Sequence, residues 1–299
     1  MRTFFTAVVW LALGMSAAGT ASADDRIFDK EVAADPKGVV DISNVAGSIE
    51  VTGWDRNTVS VHGVLGEGVE RVDVETQPGH ITIKVVLPNS GHHGDGEAKL
   101  KVQIPQGSEL DVSAVSADVT ARKVAGVQRL QSVSGEVSAE LAGADADIKN
   151  VSGDITLHGH GQTAATHVTT VSGDVRIEHI AGDLDVNTVS GEVKGTVDGG
   201  HALRVRSTSG DVTFAGKLTR GVTVDVESVS GEITLKASTE GGYVYELTSF
   251  SGDINNCFGT TAERTSPHGP GSSLRGTRGD GSGRVHMRSM SGDLTLCDQ

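Results

Sequence analysis

Apolar residues along this chain recur in short runs of period two. "SIEVTG" (48–53), "TVSVHG" (58–63), "ITIKVVLP" (81–88) and "LKVQIP" (100–105) alternate apolar and polar positions, which predicts short strands with one buried face. From about residue 115 onward the alternation is organised by a repeated phrase, Ser-Gly-Asp or Ser-Gly-Glu with aliphatic residues on either side. Its glycine stands at Gly135, Gly153, Gly173, Gly191, Gly210, Gly231, Gly252 and Gly292, and Ala117 in "VSADV" reads as a degenerate first copy. The spacings are 18, 18, 20, 18, 19, 21, 21 and 40 residues, and a period of this size signals a solenoid or an array.

Aligned on that glycine, three columns are apolar and mostly β-branched. Two residues after it stand Val137, Ile155, Val175, Val193, Val212, Ile233, Ile254 and Leu294; five before it stand Leu130, Ile148, Val168, Val186, Val205, Val226, Leu247 and Met287. Two before it stand Val133, Val151, Val171, Val189, Thr208, Val229, Phe250 and Met290. The columns two residues either side are expected to face inward. The alternation must then slip by one residue between the columns at minus five and minus two, which predicts a bend there and two short strands per repeat. One such coil cannot bury its apolar face alone but can when stacked on its neighbours. The fold class expected is all-β, a single-stranded parallel β-solenoid (β-helix) with coils of about 18–21 residues. An antiparallel meander or sandwich is the competing architecture.

The domain reading has three parts. Residues 1–23 have the grammar of a secretory leader: Arg2, the apolar run "FFTAVVWLALGM" (4–15), and "ASA" (21–23) with cleavage expected after Ala23. Residues 24–110 form a less regular β region that starts and caps the solenoid. Residues 111–299 form the regular repeats, with a flexible loop expected at 258–283.

Composition narrows the function classes. The formal charge is −14, and removing Arg2 with the leader takes it to −15. Such a surface repels phosphate backbones, so nucleic acid is not an expected partner. Aromatics are 3% against 40 Gly, which suits a thin core of Val, Ile and Leu. No further long apolar stretch follows the leader, so the chain is not expected to span a membrane once the leader is gone.

The segments "GSIEVTGWDRNTVSVHG" (47–63) and "LKVQIPQGSELDVSAVSADVTA" (100–121), with the serial "VSGD[VI]", resemble the bacterial "putative-adhesin" family of β-strand-repeat proteins, a domain of unknown function. They are also similar to the head domains of autotransporter adhesins. The resemblance covers about residues 36–299. It implies an exported β-solenoid associated with the cell envelope, and it supplies no catalytic residues to carry over.

Candidate sites follow from the columns. Cys257 and Cys297 each lie five residues after a repeat glycine, in the last two coils, so stacking would make them neighbours able to form a disulfide; two free thiols are the alternative. One residue after each repeat glycine runs an acidic column: Asp118, Glu136, Asp154, Asp174, Glu192, Asp211, Glu232, Asp253 and Asp293. Its carboxylates should point outward, where stacked neighbours repel by roughly 1 kcal/mol per pair. Either cations or hydrogen bonds from backbone N–H groups and turn hydroxyls must offset this. His92 and His93 with Asp95, and His158 with His160, have donors for a metal but not four in sequence, and solvated loop histidines are the favoured reading. Arg278-Gly279-Asp280 matches a tripeptide used by some adhesive proteins, a cheap match in so Gly- and Asp-rich a chain.

No catalytic motif, cofactor motif or metal motif is found. The function expected is that of an exported, non-catalytic protein, adhesin-like or associated with the cell envelope in the periplasm or at the surface, with an envelope polymer, peptide or protein as partner. The alternatives are a β-helix enzyme acting on polysaccharide and a solenoid stabilised by cations.

Overall fold

The computed structural model describes residues 26–88, 96–160, 164–265 and 270–298. The expected leader with Ala23, and His92, His93 and Asp95, lie outside these residues. The described residues form strands without a helix, and none of their segments is a helix long and apolar enough to cross a membrane.

Each repeat contributes two strands. The regular pairs are β8 (Gln128–Ser134) with β9 (Val137–Leu141), β10 (Ala146–Ser152) with β11 (Ile155–Gly159), β12 (Ala165–Ser172) with β13 (Val175–Ile180), β14 (Asp183–Ser190) with β15 (Val193–Asp198), β16 (Ala202–Ser209) with β17 (Val212–Leu218), and β18 (Thr223–Ser230) with β19 (Ile233–Thr239). First strands stack parallel on first strands and second on second, in register: Ile148 lies between Leu130 and Val168, and Ile155 between Val137 and Val175. The expected parallel β-solenoid is the fold. Its antiparallel pairs occur at the two ends.

The glycine corner sets the register. The repeat glycines have φ between +123° and +156°, a region that disfavours any side chain. A Cβ on Gly173 would meet the carbonyl oxygen of Gly153, and one on Gly191 that of Gly173. Backbone bonding runs through the corner. Gly153 N–H donates to Ser172 O at 3.2 Å, and Ile155 N–H to Asp174 O at 2.9 Å, one coil on. The N–H between them, on the acidic residue, points back to the previous coil. There the carboxylate accepts it: Asp174 N–H donates to Asp154 Oδ1 at 2.9 Å, Glu192 N–H to Asp174 Oδ1 at 2.9 Å, and Glu232 N–H to Asp211 Oδ1 at 2.8 Å. Asp118 and Asp293 accept in the same way from Glu136 and Asp253. Asp118, Asp154, Asp174, Asp211 and Asp293 thereby close a gap in the backbone ladder on their rungs.

The columns at minus five and plus two are buried. Full burial of each such aliphatic side chain stabilises by about 1.5–3 kcal/mol. The column at minus two is not buried, contrary to expectation: Val133, Val151, Val171, Val189, Val229, Phe250 and Met290 are exposed. The slip in alternation falls at the serine–glycine step, not earlier. The inward position is minus three, where Ser132, Asn150, Thr170, Thr188, Ser207, Ser228, Ser249 and Ser289 are buried. Two of these side chains bond to carbonyls of the corner, whereas the hydroxyls of Ser132, Ser207, Ser228 and Ser289 have no partner in the structure. Asn150 Nδ2 donates to the carbonyls of Gly135 and Gly153, each at 3.0 Å, and Ser249 Oγ donates to Gly292 O at 3.1 Å.

Both ends break the sequential order. β20 (Gly242–Ser251) with β21 (Ile254–Asn256) follows β19 in sequence, yet β24 (Gly283–Ser291) with β25 (Leu294–Cys297) lies between them in space. β24 pairs with β18 on one side and β20 on the other, and β25 with β19 and β21. At the other end β2 (Val39–Trp54) lies between β7 (Glu109–Arg122) and the pair β5 (His80–Val86) and β6 (Glu97–Pro105). Antiparallel strands cover the end coils. β3 (Thr58–Leu65) covers β6, β1 (Arg26–Ala33) covers β3, and β4 (Arg71–Gln77) covers β5. At the far end β23 (Ser272–Gly279) covers β20, with the short β22 (Glu263–Arg264) beyond it. Part of 258–283, expected as a flexible loop, is thus a capping strand. Bare coil ends would leave unpaired backbone, and these strands satisfy it.

A charged column runs through the inserted last coil. Six residues before the repeat glycine, successive rungs in space carry Asp111, Arg129, Asp147, His167, Asp185, Arg204, Asp225, His286 and Glu246, and Arg275 of the cap faces Glu246. From Asp111 onward no two acids are neighbours; on the rung before it, Asp41 of β2 lies beside Asp111. Stacking in sequence order would set Asp225 against Glu246. The inserted coil puts His286 between them, with its Nδ1 3.0 Å from Asp225 Oδ1. Cys257 and Cys297 are joined as a disulfide across these last two rungs, Cα to Cα 4.9 Å.

Two predictions follow from the stacking. Gly173→Ala loses about 3 kcal/mol in urea unfolding through strain and close approach. Gly221→Ala has φ +77° and open space at its Cβ and loses only about 1 kcal/mol; equal losses would contradict the close approach. Replacing both cysteines by serine removes a cross-link spanning 40 residues and lowers stability by up to about 4 kcal/mol. Hydrogen exchange then shows 242–256 and 283–297 opening first, and an unchanged urea midpoint would contradict this.

Candidate functional site

The corner that buries small polar residues at minus three turns the next residue, at minus two, to solvent. Because coils stack in register, these side chains form one ladder. In spatial order it is Val45, Val115, Val133, Val151, Val171, Val189, Thr208, Val229, Met290 and Phe250. Its nine apolar members are 38% to 56% exposed. At about 4.8 Å per rung the ladder is about 43 Å long. Isolated exposed aliphatics are ordinary on a protein surface, whereas a continuous row is a candidate interaction surface.

Polar columns run along both sides. On one side, serines at minus one (Ser134, Ser152, Ser172 and their equivalents) and then the acidic column are solvent-facing, with Glu192 half-buried. One oxygen of each Asp that caps the next rung is engaged by backbone N–H, as described above. Glu192 pairs with Lys194 Nζ at 2.7 Å, and Thr234 Oγ1 donates to Glu232 Oε1 at 3.0 Å. On the other side, the column at minus four carries exposed Lys149, Arg206 and Arg288 and, between the two arginines, the half-buried Glu227, among neutral residues. The ladder therefore has one acidic flank and one mixed flank.

The remaining sequence candidates resolve into structural roles. His158 Nδ1 lies 3.0 Å from Glu178 Oε2 on the next coil, and His160 is exposed. Among the described residues the one metal-competent group of three is Asp225, Glu227 and His286. It belongs to the alternating column and its neighbour, and Glu227 also faces Arg206 at 3.9 Å. In the Arg278-Gly279-Asp280 tripeptide both charges are used internally. Arg278 donates to Asp298 Oδ2 at 2.6 Å and its guanidinium lies 4.3 Å from the Phe258 ring centre. Asp280 accepts from Arg220 at 2.6 Å and from Ser282 N–H at 3.0 Å, and the bonds from Ser282 hold its carboxyl below the usual range. Tyr243 donates to Asp298 Oδ1 at 2.8 Å; burial first, then this bond, pushes its phenol well up. Asp111 is shifted up by burial and by the neighbouring Asp41.

A cleft at the N-terminal end is lined by small and aliphatic residues such as Ala33, Val39, Pro78 and Ile81. The bulky aromatics that a sugar groove needs are placed elsewhere. Tyr243 and Tyr245 are buried, and the Trp54 indole N–H donates to Thr58 O at 2.8 Å.

The exposed ladder was missed from sequence because β-branched residues in a repeating column read as core. The signal that locates it is the neighbouring column of Ser, Thr and Asn at minus three. Two columns one residue apart cannot both face inward along a strand.

No curated protein matches the chain. Solved structures with a similar fold include one described as a "putative lipid binding protein" from Parabacteroides distasonis, at 13% identity and TM-score 0.41, covering 92% of this chain and 98% of the other. A "putative adhesin" from Bacteroides fragilis matches at 10% identity and TM-score 0.35, covering 93% and 99%. A "putative cell adhesion protein" from Clostridium sporogenes matches at 10% identity and TM-score 0.27, covering 92% and 100%. The model of the Toastrack DUF4097 family matches residues 39–297, from the first strand of the solenoid to the last, and the chain belongs to that family, a domain of unknown function.

Proposed function

We propose that this protein is an exported, non-catalytic binding rod of the cell envelope, and that it engages its partner along the exposed apolar ladder. The observation that carries the reading is the ladder itself: nine apolar side chains, each more than a third exposed, held in one line by the register of the coils. Burying them against a partner supplies a driving force that solvent denies them. Two further features support the location. Residues 1–23 read as a secretory leader, and the Cys257–Cys297 bond suits an oxidising compartment. Five aspartates of the acidic column already accept backbone N–H bonds, which supports a reading in which binding runs through the apolar ladder and not through a cation.

The test is co-sedimentation of the protein with isolated cell-wall sacculi and with envelope membranes, each with and without a chelator. Its control is the Val151→Thr/Val171→Thr/Val189→Thr variant. Threonine already stands in this column at position 208, so the fold tolerates it. The wild-type protein pellets with one fraction in both buffers, and the variant loses most of that binding. Wild-type protein that pellets with neither fraction, or a variant that pellets equally well, contradicts the proposal.

A further inference from the structure

We infer that the ladder is a track for a basic amphipathic α-helix. This rests on the reading of the ladder as a binding face and goes on to name the partner.

Shape comes first. The apolar strip is one residue wide, with polar columns on both sides. A strip about 43 Å long and about 10 Å wide offers roughly 430 Å², about half of the roughly 800 Å² per partner that a stable protein–protein interface uses. It is too narrow for the flat face of a second copy, and two copies at −14 each repel one another. A single helix, about 10 Å across, matches its width.

Spacing comes second. A helix presents its apolar stripe once per turn, every 5.4 Å, against about 4.8 Å per rung. The two repeats stay in phase for about four turns before slipping by half a rung, enough for a segment of about 15 residues. An extended strand laid along the ladder repeats its side chains every 6.6–6.8 Å and loses phase after one or two residues. Valine side chains at successive rungs leave gaps that the larger side chains of a leucine stripe fill.

Charge comes third and sets the sign. The acidic column lies three residues along the chain from the ladder, within about 10 Å. It carries one carboxylate per rung from Asp118 to Asp253, the coil of Asp293 lying between those of Glu232 and Asp253. A helix seated on the valines has one flank over this column, and Lys or Arg on that flank gains from its carboxylates, of which Glu192 is already paired with Lys194. The opposite flank meets the mixed column, where Lys149, Arg206 and Arg288 outnumber the single acid Glu227, so basic residues gain less there. The geometry therefore selects a helix with an apolar stripe and one basic side. It also disfavours an anionic lipid surface, which nine carboxylates would repel.

The test titrates the full chain against labelled 16-residue probes, read by fluorescence polarisation. One probe is a Leu/Lys peptide with Leu at helical spacing. A second has the same composition in strict Leu-Lys alternation. A third is the Leu/Glu counterpart of the helix. Phosphatidylcholine vesicles are the lipid arm. The helical Leu/Lys probe binds, the alternating probe binds about ten-fold more weakly, and the Leu/Glu probe does not bind. The Val151→Thr/Val171→Thr/Val189→Thr variant weakens the helical probe about ten-fold while leaving its salt dependence. Asp154→Asn/Asp174→Asn keeps an oxygen for the backbone bond, weakens the probe by a similar factor, and flattens the salt dependence.

Equal binding of the helical and alternating probes, or no effect of the valine variant, overturns the proposal, as does binding to vesicles alone. If no peptide binds while the valine variant still loses co-sedimentation, the ladder remains the binding face and only the helical partner falls. If the variant sediments like wild type, the binding face falls as well.

Discussion

The structure depends on one close approach: the backbone of each coil lies against the carbonyl of the coil before it at a glycine that has no room for a Cβ. Gly153, Gly173, Gly191, Gly210, Gly231, Gly292 and Gly252 each meet the glycine one rung back, and Gly135 meets Ala117, or are met in turn. Hydrogen bonds through this corner, completed by Asp side chains, allow one register only. Once the register is set, equal positions of every repeat form columns at about 4.8 Å spacing. A column is then a linear object, and a property carried by one residue per repeat becomes a property of a whole face. The core, the acidic row and the exposed apolar row are three such columns.

The corner also decides what each column does. Turning the chain leaves room inside the bend only for small side chains, and some of them reach its carbonyls. Asn150 and Ser249 do so directly. With minus three committed inward, minus two must face out whatever residue occupies it. That valine recurs there, on rungs where any polar residue would fit sterically, is what separates this row from an accident of composition. Thr208 shows that the position accepts a hydroxyl. At the ends the same logic governs order. The column that sets Asp225 beside His286 rather than Glu246 favours the inserted coil, and the disulfide joins that coil to the rung outside it.

Much of this was legible in the sequence. The period, the parallel stacking, the inward columns at minus five and plus two, and the neighbouring cysteines follow from aligning the repeats on glycine. The minus-two column was misjudged because apolar character alone was taken as burial, while the Ser, Thr and Asn beside it carried the information that the alternation slips at the serine–glycine step. The order of the end coils could not be read from spacing. A 40-residue gap between Gly252 and Gly292 fits both a sequential coil after a long loop and a coil that returns to insert. The charges at Asp225, Glu246 and His286 distinguish the two only once the rungs are known to face each other.

Paired cysteine cross-linking tests the register and coil order on which all of this rests. Ser230, Ser251 and Ser291 occupy the same exposed position on three rungs, with Ser291 paired to each of the others. The account predicts that Ser230→Cys/Ser291→Cys and Ser251→Cys/Ser291→Cys each form a disulfide under mild oxidation. It predicts that Ser230→Cys/Ser251→Cys does not, because those positions are two rungs, about 10 Å, apart and beyond disulfide reach. A ready cross-link between positions 230 and 251, with none between 230 and 291, would show that the coils stack in sequence order and would contradict the inserted coil.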